Sequence, residues 1–243
     1  MWKKTPRTLR LLNPILPVNE LPVYERFHSW QGEGVHFGRS AFFIRLHGCP
    51  VHCPWCDSAG TWHPGHKPDH VDRISPVQLA EEAFSSACEF VVITGGEPTI
   101  HNLHDLTYEL RNRNLPIHLE TCGAYSIKGE MDWITLSPKN LAPPLDKNLV
   151  LADEFKIIIE GVDSIQDWSD KIPFSEFGVP TWLQPEWSCS QDSHLLSSIN
   201  EWVKKHGAPY RAGFQMHKLY LADESDQRSK PTAALCETPS NLK

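Results

Sequence analysis

Apolar positions along the chain fall into short dense runs separated by amphipathic stretches. The runs Ala41 to Leu46, Phe90 to Thr94, Ile117 to Glu120, Trp133 to Leu136, Glu154 to Ile159, Thr181 to Gln184 and Arg211 to Gln215 read as strands. Between them the period lengthens to that of a helix. Ser75, Pro76 and Gln78 supply an N-cap, an N1 proline and the third member of a capping box, so a helix is predicted to start there and run to about Cys88. Leu103 to Arg113 is the next. The clearest helix spans Asp192 to His206. There Leu195, Ile199, Trp202 and Val203 share one face, Lys204 and Lys205 suit the negative end of the dipole, and Gly207 with Pro209 stops it. Strands alternating with helices predict βα units around a parallel sheet. No internal repeat of useful length interrupts this order.

Composition narrows the reading. With 243 residues, 40% of them hydrophobic, the chain can bury one sizeable core, which favours one domain. Residues 1–20 are punctuated by proline, and residues from about Asp223 onward are polar. Both ends are therefore expected to be flexible, leaving a domain at 21–221 and a tail at 222–243. The formal charge of -7 lacks the basic excess of a dedicated nucleic-acid binder, so no grip on DNA or RNA is expected. Lys3, Lys4, Arg7 and Arg10 precede an apolar stretch broken by Asn13, Pro14 and Pro17, so no signal-peptide core forms. No run is long enough for a membrane span.

Cysteine usage points to chemistry. There are seven cysteines, and Cys49, Cys53 and Cys56 crowd into "HGCPVHCPWCDS", which fits a reducing cytoplasm better than a disulfide framework. Cys88, Cys122, Cys189 and Cys236 read as small buried packing residues. Four thiolates would close a zinc site or a ferredoxin-type cluster; three leave one metal position open. In a [4Fe-4S] cluster so held, one iron is available to chelate the amino and carboxylate groups of S-adenosylmethionine. The alternatives are a zinc site completed by His47, His52, His63, His66 or His70, and three thiols with no metal. The histidines of the 63–70 loop are most simply solvated. Gly32, Gly34 and Gly38 do not make a dinucleotide fingerprint, because their spacing is wrong and they precede their strand.

Cys-x3-Cys-x2-Cys after a strand, with Trp55 before the last cysteine, resembles the signature of the radical S-adenosylmethionine (SAM) superfamily. The downstream "VVITGGEPTI" adds to it: Gly95 and Gly96 let backbone approach a ligand closely at a strand end. Together with QGEG, FIRL-x-GC, WCD, ET-x-G, SPK, LQP and Gln-x-His-Lys, spread over about Phe27 to Lys218, the chain is similar to the 7-carboxy-7-deazaguanine synthase family.

That resemblance implies an incomplete (β/α) barrel with its site at the C-terminal rim, and a homodimer. It implies conversion of 6-carboxy-5,6,7,8-tetrahydropterin to 7-carboxy-7-deazaguanine with loss of ammonia, using a [4Fe-4S] cluster, SAM, Mg²⁺ and an electron donor such as flavodoxin or ferredoxin. Cys49, Cys53 and Cys56 would hold the cluster. Trp30, Gln31, Gly32, Arg45, Thr94 and Glu120 would meet the pterin, with Arg45 near its carboxylate and Glu120 accepting from its N–C–N edge. Trp55, Asp57, Gly96, Ser137, Lys139 and Gln184 would cradle SAM, and Ser58, where threonine is usual, would place a hydroxyl on magnesium. Plain alternatives stand beside these: an ion pair for Arg45 or Glu120, ordinary loop roles for Ser137 and Lys139, and N-capping or turn formation for Ser58. Two departures are evident. Cys122 stands where the family has serine or asparagine, and 25 residues follow Lys218 where the family chain can end. The competing functions are another radical enzyme, such as a glycyl-radical activase, and a zinc-binding interaction module.

Overall fold

A computed structural model of the chain describes residues 19–220 and 222. The ends expected to be flexible lie outside the described residues, apart from Asn19, Glu20 and Ala222.

Among the described residues, nine strands form one sheet. In chain order they are β1 (Leu21–Trp30), β2 (Ser40–Leu46), β3 (Asp72–Ile74), β4 (Phe90–Gly95), β5 (Ile117–Thr121), β6 (Trp133–Leu136), β7 (Glu154–Ile159), β8 (Thr181–Pro185) and β9 (Tyr210–Ala212). Their spatial order is β3-β1-β2-β4-β5-β6-β7-β8-β9, with β3 and β9 as open edges. From β2 to β9 every pairing is parallel, whereas β1 runs antiparallel to both β2 and β3. The helices are α1 (Pro76–Ser85), α2 (His104–Arg111), α3 (Asp146–Leu149), α4 (Ser164–Lys171), α5 (Phe174–Phe177), α6 (Ser193–His206) and α7 (Met216–Leu219).

The period of two along each strand divides the residues between two destinations. Phe42, Ile44 and Leu46, then Val91 and Ile93, then Ile117 and Leu119 pack with Leu79, Ala83, Leu106 and Leu110 of α1 and α2. Phe155, Ile157, Ile159 and Leu183 do the same with Ile165, Trp168, Leu195 and Ile199 of α4 and α6. The other row carries Arg45, Thr94, Glu120, Lys156 and Gln184, which all line a single cavity. A sheet whose alternate residues from five strands face one space is curved around it, and with open edges it is an incomplete barrel.

The predicted N-caps form, but the capping box at Ser75 is half made, since Gln78 Nε2 donates to Glu82 Oε1 at 3.0 Å. The Ser75 hydroxyl accepts from Gln78 N at 3.2 Å, and Asp192 accepts from His194 N at 2.8 Å. Helix α1 stops at Ser85, short of the predicted Cys88, because Ala87 takes a positive φ of 55°. Strand β9 is three residues long, and Gln215, expected inside it, sits instead before α7. Strands β1 and β3 escape the apolar pattern. β1 places Glu25, 3% exposed, among its inward residues, and a buried carboxylate breaks the hydrophobic alternation.

Candidate active site

A cavity of about 300 Å³ lies at the C-terminal ends of the parallel strands, and all sixteen site residues expected from the sequence line it. Its walls come from two loops. One follows β2 and carries the three cysteines; the other follows β1 and carries Gln31, Gly32 and Glu33.

The cysteine loop is seated on the end of β4. Gly48 N donates to Thr61 O at 2.8 Å, and Glu97 N donates to Gly48 O at 2.9 Å. Gly96 permits this approach: a Cβ there would lie 2.4 Å from Gly48 O and 2.6 Å from the Cys49 Cβ. Buried Glu97 fastens the same turn to β5, accepting from Thr99 N at 3.0 Å, Thr121 Oγ1 at 2.6 Å and Cys122 N at 2.8 Å. Cys49, Cys53 and Cys56 gather with Val51, Cys122, Trp55, Ala124 and Ala142 in one apolar patch. Cys122 is buried and packed, as expected, and the apolar patch it packs into is that of the three thiols. Cys88 is in the helix-side core as expected, and Cys236 lies outside the described residues.

These thiols fit a cluster. Among the described residues no three His, Cys, Asp or Glu side chains gather tightly enough to hold one metal ion. A four-iron cluster presents a separate iron to each thiolate and accepts such a spread. Burial pushes the Cys53 thiol up to about 11 against the opposing charge of Lys139, so a bound cation is what would favour its thiolate. Lys139 stands beside this patch, its Nζ 5.4 Å from the Trp55 ring centre and donating to Ser137 Oγ at 2.6 Å. Ser58 precedes a short turn at Ala59–Thr61, yet its hydroxyl makes no capping bond; it lies 3.6 Å from Cys56 Sγ and faces the cavity. Of the plain alternatives for Ser58, N-capping is absent, but turn formation is present: its carbonyl accepts from Thr61 N at 2.9 Å and Thr61 Oγ1 at 2.7 Å.

Asp57, expected near SAM, is half exposed and engaged by the segment around α7: Gln215 Nε2 donates to it at 3.1 Å and Lys218 Nζ at 3.3 Å. Burial opposes its charge, but Lys218 and the Gln215 hydrogen bond hold the carboxyl well below the usual range. The same segment touches the opposite wall. Met216 N donates to Gly32 O at 3.1 Å, and a Cβ on Gly32 would lie 2.3 Å from His217 Nδ1. His63 and His66, expected to be solvated, are half-buried in a ring stack with Trp62, and His66 lines the cavity.

Arg45 shows the plain alternative. Its Nε donates to Glu25 Oε1 at 2.6 Å. That bond leaves out the paired terminal nitrogens with which a guanidinium grips a carboxylate. Glu120 sits in a larger network: Gln31 Nε2 donates to Oε1 at 3.0 Å and Lys156 Nζ to Oε2 at 3.0 Å. Lys156 also pairs with Glu33, whose other oxygen accepts from Gln184 Nε2 at 3.2 Å. Gln184 thus belongs to the wall formed by Gln31 and Glu33. Burial works against the Lys156 charge, but Glu120 and Glu33 hold it above the ordinary lysine range. Burial likewise works against Glu33, yet Lys156 and His217 hold it below the carboxylate range.

Below this network Glu154, 3% exposed, accepts four hydrogen bonds: Thr135 Oγ1 at 2.8 Å, Trp133 Nε1 at 3.3 Å, Trp182 Nε1 at 2.7 Å and Val35 N at 2.9 Å. The last of these pins the loop after β1 to the barrel floor. Next to it His36 and His118 meet at 4.4 Å between ring centres, and Phe90 stacks on His118 at 4.0 Å. Sequence reasoning missed Glu33, Lys156, Glu154 and His217. The available signal was a charged residue at alternate positions of an otherwise apolar strand, as in "EFKIII".

Comparison with known proteins fixes the lineage. Residues 43–167 match the family described as the Radical SAM superfamily. The chain is 42% identical over 208 residues to 7-carboxy-7-deazaguanine synthase of Synechocystis sp., an alignment covering 83% of this chain and 96% of that protein. It belongs to the 7-carboxy-7-deazaguanine synthase family. The synthase of Prochlorococcus marinus is 38% identical, over 82% of this chain and 96% of that one. A crystal structure of QueE from Escherichia coli superposes with a TM-score of 0.71 at 29% identity, covering 82% of this chain and 95% of that chain. Membership in this radical SAM family accounts for the cysteine triplet, the incomplete barrel and the cavity between the two loops.

Proposed function

We infer that the protein is a radical SAM lyase that converts 6-carboxy-5,6,7,8-tetrahydropterin to 7-carboxy-7-deazaguanine with loss of ammonia, a step of queuosine-type deazapurine synthesis. The observation that carries this reading is a single cavity with thiols for a cluster on one wall and a doubly held carboxylate, Glu120, on the other. Its size suits a small molecule better than the backbone of a protein substrate, which sets aside a glycyl-radical activase.

Cys49, Cys53 and Cys56 would hold the [4Fe-4S] cluster. When bound, the cluster supplies the electron that cleaves SAM and starts the substrate's radical ring contraction. The remaining work falls to side chains. Lys139, Ser137, Trp55 and Gly96, which line the cavity, would cradle SAM, and Thr94 would meet the pterin. The backbone of Trp30, with Gln31 and Gly32, would flank the pterin ring, and Glu120 would accept from its N–C–N edge. Arg45 would turn its terminal nitrogens to the substrate carboxylate while Nε stays on Glu25. Ser58 would contribute one hydroxyl to Mg²⁺, with water and substrate oxygens completing the octahedron. The segment from Gln215 to Lys218 joins both walls and helps exclude water from a radical reaction.

No helix is long and apolar enough to cross a membrane among the described residues. We place the enzyme in the cytoplasm as a homodimer that draws electrons from flavodoxin or ferredoxin. The test is anaerobic turnover of cluster-reconstituted protein with SAM, Mg²⁺, reductant and 6-carboxytetrahydropterin, with products followed by mass spectrometry. The expected result is 7-carboxy-7-deazaguanine from the wild type and none from Cys53→Ala. Appearance of 5′-deoxyadenosine without that base would retain the radical enzyme and remove the substrate.

A further inference from the structure

Lys156 lies in the interior of β7, its side chain 12% exposed, in a place where an apolar residue would serve the sheet better. It has no counterpart in the chemistry assigned so far. Its three N–H donors reach two carboxylates, Glu33 of the loop after β1 and Glu120 of β5. Two carboxylates sharing one ammonium give the trio a net charge of minus one, with His217 near Glu33 and Arg45 near Glu120. Removing the cation from such a group is costly, because it strands buried charge.

The geometry around Glu120 is specific. Each carboxylate oxygen already accepts one bond from a fixed donor: Oε1 from Gln31 at 3.0 Å, Oε2 from Lys156 at 3.0 Å. Held at both oxygens, the carboxylate cannot rotate about its last torsion. Each oxygen nevertheless retains a second acceptor position. Two parallel free acceptor positions are the complement of two adjacent N–H donors, such as the ring nitrogen and exocyclic amine of a 2-aminopyrimidinone. Glu33 has a separate task. Its second oxygen is held by Gln184 at 3.2 Å, so it anchors Lys156 from the far side and leaves the charge of Glu120 for the ligand.

We propose that Lys156 is a positioning and specificity residue, which with Glu33 and Gln31 presets the plane of the Glu120 carboxylate so that it selects pterins bearing a 2-amino group. This rests on the reading of the cavity as a pterin site. A merely structural ion pair at the same place would stabilise the fold without affecting which pterin binds.

The experiment compares cluster-loaded wild type, Lys156→Met and the double variant Glu33→Gln/Lys156→Met. Anaerobic titrations use 6-carboxytetrahydropterin, its analogue lacking the 2-amino group, and SAM, and thermal unfolding is recorded for each protein. Lys156→Met is expected to weaken pterin binding by about tenfold or more and to lower the unfolding temperature, because buried Glu33 loses its ammonium partner. The double variant removes that stranded charge. Its unfolding temperature should recover while pterin binding stays weak, SAM affinity stays within about twofold of wild type, and preference for the 2-amino pterin falls from about tenfold to under about threefold. Recovery of pterin affinity together with stability would make Lys156 structural and overturn the proposal. Wild-type binding and selectivity in both variants would overturn it too, with the cavity assignment intact. Failure of the wild type to bind the pterin at all would remove the cavity assignment and the proposal together.

Discussion

The two walls of the cavity are built on different principles. The cysteine wall is held by main-chain bonds at its ends and by apolar contact in its middle: Cys56 N donates to Cys53 O at 3.2 Å, and the thiols rest on Val51, Trp55 and Ala142. The opposite wall is held by charge. Gln31, Glu33, Glu120, Lys156 and Gln184 form side-chain bonds in which both oxygens of each carboxylate are occupied, and Glu154 on the floor below is held the same way. A wall of the first kind is completed by what binds to it, whereas a wall of the second kind dictates what binds. This division matches the two demands on the site: a metal group that brings strong bonds of its own, and an organic substrate that must be recognised by shape and hydrogen bonding.

The sharpest way to break the comparison is to remove a thiol. Cys56→Ala should abolish iron loading after reconstitution and lower turnover by about a thousandfold or more, with little change in the thermal stability of the cluster-free chain. A large loss of apo stability would mean that the cysteine wall supports the fold as the other does. The second test is on the floor. Glu154→Ala strands two indole N–H groups, a hydroxyl and the Val35 amide, and should lower stability by about 4 kcal/mol in chemical denaturation. Glu154→Gln, which keeps one acceptor oxygen, should lose about half of that.

Acid provides the third and smallest effect. Burial, with His36 and Arg39 nearby, pushes His118 down from 6.5 to about 3. The folded chain thus keeps the ring neutral where the unfolded chain protonates it. Its contribution is fully present above pH 6.5 and is lost as the pH falls from there toward 3. At about pH 4.5 the loss should reach about 2 kcal/mol, and His118→Gln should flatten that part of the stability profile. An unchanged slope in the variant would move the acid sensitivity elsewhere.

Much of this was legible before the fold was known, and for identifiable reasons. Parallel strands are buried on both faces, so their apolar runs stand out, and six of the seven expected strands fall within a residue or so of the observed ones. The cysteine spacing and the GGEP turn are local features whose chemistry needs no tertiary context. Glu33, Lys156 and Glu154 were hidden because their meaning depends on register: a lysine in "EFKIII" is unremarkable until β7 lies beside β6 and the loop after β1 folds under both. Arg45 was visible but half understood, since its partner Glu25 sits on a strand that the pattern did not reveal. Ser58 was read as a choice between a metal contact and a cap or turn; local geometry shows the turn and no cap.

The tether between Asp57 and the Gln215–Lys218 segment also sets an order of events during synthesis. Its partners are 158 and 161 residues apart in the chain. At ribosomal speeds of roughly 5–20 residues per second, the cysteine loop emerges roughly 8–30 s before the segment that fastens it. For that interval the thiols stand on an unfinished nascent chain, so among the described residues the latch of the cavity is a contact that translation allows late.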